Sequence, residues 1–240
     1  MTSTAATHPY VANVASACAL VTMTHLALGL GLAKHLNGQQ FKGFPLYTYY
    51  HSMIHTGLVF PAFLVFFAVT APSQWLEGPD GATHTDELDA TQWVQASNIG
   101  FQVAITLLSP REVFGSPALL LHHAITILGC VALLHPLHCA GYGAVFTAFT
   151  EFGSTFHNIM SLNGGTASRL LRIATDIITR GGGLVLMASE FPISRARGLP
   201  MYLQIWTCLG GLAWFGINAS WTVQVASGLW RRRGRKERKE

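Results

Sequence analysis

Seven long apolar stretches dominate this sequence and leave little room for any other kind of structure. They cover about residues 11–33, 47–70, 92–109, 117–135, 138–160, 170–189 and 201–229. A helix needs about 20 mostly apolar residues to cross the hydrocarbon core of a bilayer. Half of the 240 residues are hydrophobic and only 11% are charged, which is typical of membrane proteins and not of soluble domains. The sequence therefore predicts an all-α, polytopic membrane helical bundle of about seven (six to seven) transmembrane helices.

The basic residues predict how these helices are threaded. The last ten residues, RRRGRKERKE at 231–240, are strongly basic, and such clusters stay on the cytoplasmic side of a membrane. With seven helices the N-terminus then lies on the opposite side, together with the acidic segment 77–89. This threading assigns five further cations to cytoplasmic links or helix ends: Lys34, Lys42, Arg111, Arg169 and Arg172. Arg195 and Arg197 alone disagree with it.

The chain divides into three predicted parts. Residues 1–44 form an N-terminal segment with the first transmembrane helix, 45–230 form the main transmembrane domain, and 231–240 form a basic cytoplasmic tail. No basic region precedes the first apolar stretch and no small-residue cleavage site closes it, so we expect a retained helix and not a cleaved signal. The four cysteines lack paired spacing, which favours buried thiols over disulfides or a zinc site: Cys18, Cys130, Cys139 and Cys208.

Two adjacent histidines, His122 and His123, open the fourth apolar stretch. An imidazole in hydrocarbon costs free energy unless it is hydrogen-bonded, faces a wet cavity or takes part in chemistry. Consecutive residues diverge by about 100° around a helix, so at most one of the pair points straight into the bundle. His51 and His55 lie four residues apart on the second stretch and share one face. These histidines are therefore candidate functional residues.

Glu151 is a charged residue within the fifth stretch and has no cationic partner on its own helix. Ser154, Thr155 and Asn158 follow it by three, four and seven residues and lie on the same face. A polar stripe of this kind must face other helices or a cavity, because it could not face lipid.

Asp176 and Arg180 are also charged residues within an apolar stretch. They lie four residues apart on the sixth stretch, a spacing that stacks side chains one turn above another. We interpret them as a structural ion pair.

Two kinds of chemistry are open if His55, one or both of His122 and His123, and Glu151 converge. Imidazole beside a carboxylate suits general acid–base catalysis, and the same groups suit a metal site. Membrane di-iron enzymes with H-x-x-x-H spacing also carry H-x-x-H-H clusters, which this sequence lacks. We therefore expect no metal and no resident cofactor. A retinal protein is excluded because residues 201–229 contain no lysine.

Several motifs together resemble the TLC domain, a membrane domain shared by ceramide synthases and translocation-associated membrane proteins. The two central motifs are a His-His pair that opens one helix and a Glu-led polar pattern on the next, here HHAITILG at 122–129 and EFGSTFHN at 151–158. Four weaker motifs fit in the same order: SMIH at 52–55, NIGF at 98–101, RLLRI at 169–173 and GINASW at 216–221. The resemblance covers about residues 45–230.

The resemblance implies a helical bundle of the endoplasmic reticulum or a related endomembrane, with a cytoplasmic C-terminus and membrane lipids as partners. A synthase motif would continue to His-Asp-x-x-Asp, whereas FTEFGS stands at 149–154 and contains one acid. We therefore expect the small branch of the family that acts in phospholipid or sphingolipid homeostasis, by binding or regulating lipids inside the bundle. The partners would include no nucleic acid, and the protein could form homo- or hetero-oligomers.

The alternative that the resemblance implies is a ceramide-synthase-like acyltransferase, with acyl-CoA as co-substrate and a lipid amine or hydroxyl as acceptor. His122 or His123 would be the general base and Glu151 would orient it. The substrate would be held by four further residues: His55, Ser154, Thr155 and Asn158.

Overall fold

A computed structural model describes residues 7–70, 90–134 and 140–237 of the chain, and these residues are mostly helical. The helices are α1 (Thr7–His35), α2 (Leu46–Ile54), α3 (Phe60–Thr70), α4 (Ala90–Leu108), α5 (Pro110–Phe114), α6 (Pro117–Leu133), α7 (Ala140–Leu162), α8 (Thr166–Ala196) and α9 (Met201–Glu237). Two short strands, β1 (Gln40–Phe41) and β2 (Phe44–Pro45), pair antiparallel between α1 and α2. The predicted all-α class is confirmed, and helix occupies each of the seven predicted stretches within the described ranges.

Residues with positive φ shape the link between α1 and α2. Asn37 and Gly38 follow α1 with φ of 47° and 66°, the left-handed conformation that commonly ends a helix. Lys42 and Gly43 form the two-residue loop of the hairpin, with φ of 51° and 82°. A type I′ turn requires positive φ at both of these positions. The link is thus a tight hairpin that folds back over the end of the bundle.

Prolines set where α5 and α6 begin. Pro110 and Pro117 each occupy the start of a helix, where the missing backbone N–H is not needed. The Ser116 hydroxyl caps α6 by accepting a hydrogen bond from the backbone N–H of Leu119 at 3.4 Å. This start places the double histidine in the second turn of α6.

A π-helical segment, His55–Val59, joins α2 to α3 into one long helix. Pro61 follows it and has no N–H to donate to the carbonyl of Gly57, four residues earlier. The π-helix is rare and occurs mostly as a single wide turn inside an otherwise regular α-helix. It also shifts the helical phase, so that α3 does not continue the face that α2 presents.

The long helices pack as a ring. Helix α7 contacts α2 and α3 on one side and α8 on the other, α8 contacts α9, α9 contacts α6, and α6 contacts α4. Helix α1 closes the ring by packing on both α4 and α2. Gly100 permits the close approach of α4 to α1, because a Cβ there would lie 2.9 Å from the backbone nitrogen of Thr22.

The ring is apolar outside and polar over much of its inside. Large apolar side chains are exposed along the outer faces of the helices, among them Leu20, Met23, Val65, Ile177, Leu209 and Leu212. Side chains buried inside include Gln95, Asn98, Glu151, Arg172, Asp176 and Asn218. An apolar cluster fills the end of the ring near the starts of α4 and α7, formed by Phe60, Phe67, Val94, Ala144, Val145 and Ala148.

Within the described ranges, two helices are long and apolar enough to cross a membrane by length and composition. They are Tyr10–His35 and Leu46–Val69, while Pro117–Leu133 is apolar but shorter. The last helix runs to Glu237, beyond the predicted 201–229, and α8 extends past both ends of the predicted 170–189. The acidic segment 77–89 and Cys139 lie outside the described residues.

Candidate functional site

A cavity of about 300 Å³ lies inside the ring, between α2, α4, α6, α7, α8 and α9. Its wall contains five of the seven residues predicted for the site: His122, His123, Glu151, Ser154 and Asn158. The other two, His55 and Thr155, are close in sequence to lining residues but are not part of the wall. The polar motifs of α6 and α7 therefore meet around one space.

The cavity lies towards one end of the ring. Phe44 of the hairpin, Ser109 and Ser116 beside α5, and Ser161 near the end of α7 all line it. The Lys42 ammonium donates a hydrogen bond to the backbone carbonyl of Ser161 at 2.6 Å. The hairpin is thereby tied across this end of the cavity.

The double histidine reaches the cavity wall with both side chains. His122 and His123 are each under 10% exposed, with ring centroids 6.0 Å apart. His123 Nδ1 lies 3.0 Å from the Thr106 hydroxyl on α4, and the His122 ring packs against Trp221 of α9 at 5.5 Å. The two imidazoles thus approach one cavity in different surroundings, although adjacent residues on a helix diverge.

Glu151 is held by Ser154 of its own helix, and Arg180 of α8 in turn bonds to Ser154. The Ser154 hydroxyl donates to Glu151 Oε2 at 3.2 Å and accepts from Arg180 Nη2 at 3.0 Å. The Arg180 guanidinium also donates to the backbone carbonyl of Thr150. A buried carboxylate is tolerable only with such compensation. Glu151 accepts a hydrogen bond from Ser154. Among the described residues, no hydrogen bond joins Glu151 to His122 or His123.

The predicted ion pair of α8 is confirmed, and it has a third member. Asp176 Oδ1 lies 3.8 Å from Arg180 Nε and only 2.7 Å from Arg172 Nη1. Asp176 Oδ2 accepts a hydrogen bond from the Thr222 hydroxyl of α9 at 2.5 Å, and Arg172 also donates to the Gly153 carbonyl of α7 at 3.1 Å. Two cations and one carboxylate therefore join α7, α8 and α9 beside the cavity.

The spacing predicts that the polar stripe of α7 faces another helix or a cavity, and in the structure it faces both α2 and the cavity. The hydroxyls of Thr155 and Thr56 lie 2.8 Å apart, and Asn158 Nδ2 donates to the Ser52 hydroxyl at 2.8 Å. Asn158 lines the cavity while Thr155 is engaged in the helix contact. The stripe therefore contributes both to the contact between α7 and α2 and to the wall of the cavity.

His55 lies in a separate group of histidines. His25 of α1 and His51 of α2 share a hydrogen bond of 3.0 Å between Nδ1 and Nε2, and the His55 ring packs edge-on to His25 with centroids 4.7 Å apart. His55 also stacks on Phe101 at 4.2 Å. Neither ring nitrogen of His55 has a hydrogen-bond partner among the described residues. His55 therefore does not share the cavity wall with the double histidine, because its ring packs against His25 of α1.

Several lining side chains were not predicted as site residues: Gln102, His157, Arg172, Arg180, Asn218 and Trp221. Arg172 could have been found from spacing, since Arg172, Asp176 and Arg180 recur every fourth residue. Asn218 and Trp221 lie in the GINASW motif at 216–221. The position of Gln102 depends on the packing of α4 against α6, which no local pattern encodes.

A narrower, mostly apolar cavity of about 70 Å³ adjoins the first, and Glu151 lies in the wall of both. Glycines and tryptophans of α6, α7 and α9 form much of this second wall: Gly129, Gly143, Gly210, Gly211, Trp206 and Trp214. The polar cavity thus has an apolar neighbour on the far side of Glu151.

The described part of the chain contains no group of three His, Cys, Asp or Glu side chains arranged to hold a metal ion. Cys18, Cys130 and Cys208 are free thiols, of which Cys130 is buried. The prediction of buried thiols is confirmed for Cys130, whereas Cys18 and Cys208 are free but only partly buried.

Comparisons with protein-family models, with curated proteins and with solved structures found no match to this chain. The likeness to the TLC domain consequently depends on the sequence motifs alone.

Proposed function

We propose that this chain is a polytopic membrane protein of TLC-domain type, which acts in membrane lipid homeostasis by binding a lipid within its helical ring. The observation that carries the proposal is the convergence of His122, His123, Glu151, Ser154 and Asn158 on one cavity. A concave pocket on which a few polar groups converge is the default location for a ligand site.

The distribution of side chains supports a membrane setting. Apolar residues cover the outer faces of several helices while charged and amide groups are buried. Large exposed apolar surfaces are rare on soluble monomers, and ionisable groups within a membrane protein face its interior. Seven membrane-spanning helices, a location in the endoplasmic reticulum or a related endomembrane, and a cytoplasmic C-terminus are parts of the proposal. In that threading the hairpin that carries Lys42 is cytoplasmic, so the cavity lies towards the cytoplasmic side.

The two adjoining cavities support a lipid as the ligand. The larger one is about 300 Å³ and offers acceptors and donors for a headgroup, a volume at the lower end of ordinary ligand pockets. The apolar cavity beyond Glu151 offers a place for part of an acyl chain. An amphipathic molecule would have its polar–apolar boundary at Glu151.

The proposal can be tested by measuring whether lipid stays bound to the protein during purification. The wild-type protein, purified in mild detergent and examined by native mass spectrometry, should carry a bound phospholipid or sphingolipid. Replacing both His122 and His123 by Ala should lower the occupancy about tenfold or more, since each lost hydrogen bond is worth about 0.5–1.5 kcal/mol. The matched control is His25→Leu, which changes a buried histidine outside the cavity.

Two outcomes would contradict the binding proposal. One is wild-type protein that carries no lipid in detergent or in nanodiscs. The other is equal occupancy in the double-Ala variant and the wild type while both remain folded.

A ceramide-synthase-like acyltransferase is a second candidate, favoured by the presence of imidazoles and a carboxylate in one cavity wall. His122 or His123 would take a proton from a lipid amine or hydroxyl as it attacks the thioester carbonyl of acyl-CoA. The C–S bond would then break, and CoA would leave as a thiol that takes up this proton. General base catalysis typically contributes about 10²–10⁴-fold, so the double-Ala variant should lose acyl transfer by about that factor. Purified protein supplied with acyl-CoA and a lipid acceptor provides the assay.

Lipid profiles of cells that lack the protein separate the two candidates. A missing product with accumulation of its precursor supports the enzyme. A broad shift in acyl-chain composition without a missing product supports lipid binding and regulation.

A further inference from the structure

We infer that Thr106 is a positioning residue that fixes the tautomer of His123, so that His123 presents an unprotonated Nε2 to the cavity. The inference starts from the hydrogen bonds of one hydroxyl. Thr106 Oγ1 lies 2.8 Å from the backbone carbonyl of Gln102 and 3.0 Å from His123 Nδ1.

The Thr106 hydroxyl has a single proton to donate. A carbonyl oxygen can only accept, so this proton goes to the Gln102 carbonyl. In the contact with His123 the hydroxyl must then accept, and His123 Nδ1 must carry the hydrogen. A neutral imidazole has one N–H and one acceptor nitrogen. Nε2 of His123 is therefore the acceptor.

The orientation of the ring determines which groups this acceptor nitrogen can contact. Nδ1 of His123 is turned to Thr106 on α4, while the side chain as a whole lines the cavity. Nε2 is the ring nitrogen farther from Cβ, and it is not among the fully buried nitrogens that lack a partner in the described residues. It is therefore the ring nitrogen left for the cavity that His123 lines. A second residue of the wall, Glu151, is also an acceptor when ionised.

His122 is not held in this way. Its Nδ1 is buried and has no hydrogen-bond partner among the described residues, and its ring packs against Trp221. Of the two adjacent histidines, only His123 has a tautomer fixed by a neighbour. The geometry thus distinguishes two residues that the sequence treats alike.

This inference deepens the proposed function, on which its consequence for the ligand rests. A ligand that meets Nε2 of His123 must offer an N–H or O–H group, as a lipid with a free amine or hydroxyl does. The same nitrogen would be the proton acceptor if the protein transfers acyl groups. The tautomer itself is a property of the protein without ligand.

Two variants of Thr106 provide the test. Thr106→Val keeps the branched shape and removes the hydroxyl, while Thr106→Ser keeps the hydroxyl. Nitrogen NMR of the full-length protein in nanodiscs, with isotope-labelled histidine, distinguishes protonated from unprotonated ring nitrogens. His123→Gln removes the signals of His123 and so assigns them.

We expect wild type and Thr106→Ser to show His123 with a protonated Nδ1 and an unprotonated Nε2. Thr106→Val should shift His123 towards the Nε2–H form, and its lipid occupancy should fall about 2- to 10-fold, the value of one hydrogen bond. A wild-type protein with Nε2–H on His123, or an unchanged tautomer in folded Thr106→Val, would overturn the inference.

The two measurements separate this inference from the proposed function. A tautomer that switches in Thr106→Val without a change in lipid occupancy would overturn the assignment of His123 as the acceptor for the ligand. Absence of lipid in every sample, with the expected tautomers, would contradict the proposed function and leave the role of Thr106 supported.

Discussion

Two groups of buried histidines occupy neighbouring parts of this helical ring in different surroundings. His122 and His123 line a polar cavity, whereas His25, His51 and His55 pack against one another and against Phe101. Burial of an imidazole among helices therefore does not by itself mark a functional site. The difference lies in access to a space that a ligand can enter.

The two groups also differ in what holds them. Charged and polar side chains of α2, α4, α7, α8 and α9 line the cavity of the double histidine. The Asp176 carboxylate lies between two of the lining arginines, Arg172 and Arg180. In the part of the chain that the structure describes, the second group contains one hydrogen bond, between His25 and His51, and His55 contributes by ring packing. Substitutions should separate a site framed by charges from a cluster held by packing.

The largest effect is expected where the charged frame is broken. Asp176→Asn removes the carboxylate that lies 2.7 Å from Arg172 and 3.8 Å from Arg180. Arg180 keeps Glu151 nearby through Ser154, whereas buried Arg172 loses its ion-pair partner among the described residues. The expected loss is about 3–5 kcal/mol in the free energy of unfolding, measured by denaturant titration in detergent. Arg169→Met is a matched control on the same helix, since Arg169 is partly exposed and bonded to a backbone carbonyl. A loss below about 1 kcal/mol for Asp176→Asn would show that the triad does not support the cavity.

Smaller effects of opposite sign are expected within the second group. His51→Leu removes the hydrogen-bond partner of His25 and should lower the free energy of unfolding by about 1–3 kcal/mol. His55→Leu replaces a fully buried ring without hydrogen-bond partners in the described structure, so it should leave stability unchanged or raise it by about 1 kcal/mol.

The same denaturant titrations measure both variants of the second group. A large loss in His55→Leu would mean that this side chain has a polar role, and would weaken the contrast between the two groups.

The smallest effect on stability is expected at the mouth of the cavity. Lys42→Asn suits the left-handed turn, because Asn tolerates positive φ, but it removes the ammonium that bonds to the Ser161 carbonyl. We expect a change in unfolding free energy within about 0.5 kcal/mol. Exchange of a bound fluorescent lipid should become about 2- to 5-fold faster, because the loss of one weak hydrogen bond lowers the barrier to exchange by a corresponding amount. Unchanged exchange would show that the hairpin does not control entry.

Much of the architecture could be predicted from the apolar stretches, because hydrophobic length and period identify helices directly. The helix ends were less predictable: α9 continues to Glu237 through a basic segment that charge alone marks as a tail. The stripe from Glu151 to Asn158 was predictable because residues three, four and seven apart share a face.

Contacts between distant helices explain what sequence patterns could not predict. His51 and His55 share a face, as their spacing predicts, but this face contacts His25 of α1. Helix α1 lies outside the region that resembles the TLC domain. Thr106 meets His123 only because α4 packs on α6. Periodicity gives the face of a helix but not the helix that it faces.

The central claim, that a lipid occupies the cavity of the double histidine, can be tested most directly by photocrosslinking. A lipid with a photoreactive group next to its headgroup would be incorporated into nanodiscs with the full-length protein, and the labelled peptides would be mapped by mass spectrometry. We predict labelling around His122–His123 on α6 and Glu151–Asn158 on α7, and none at His25, His51 or His55. Labelling confined to exposed apolar faces, such as those of Leu20 and Leu209, would contradict the claim.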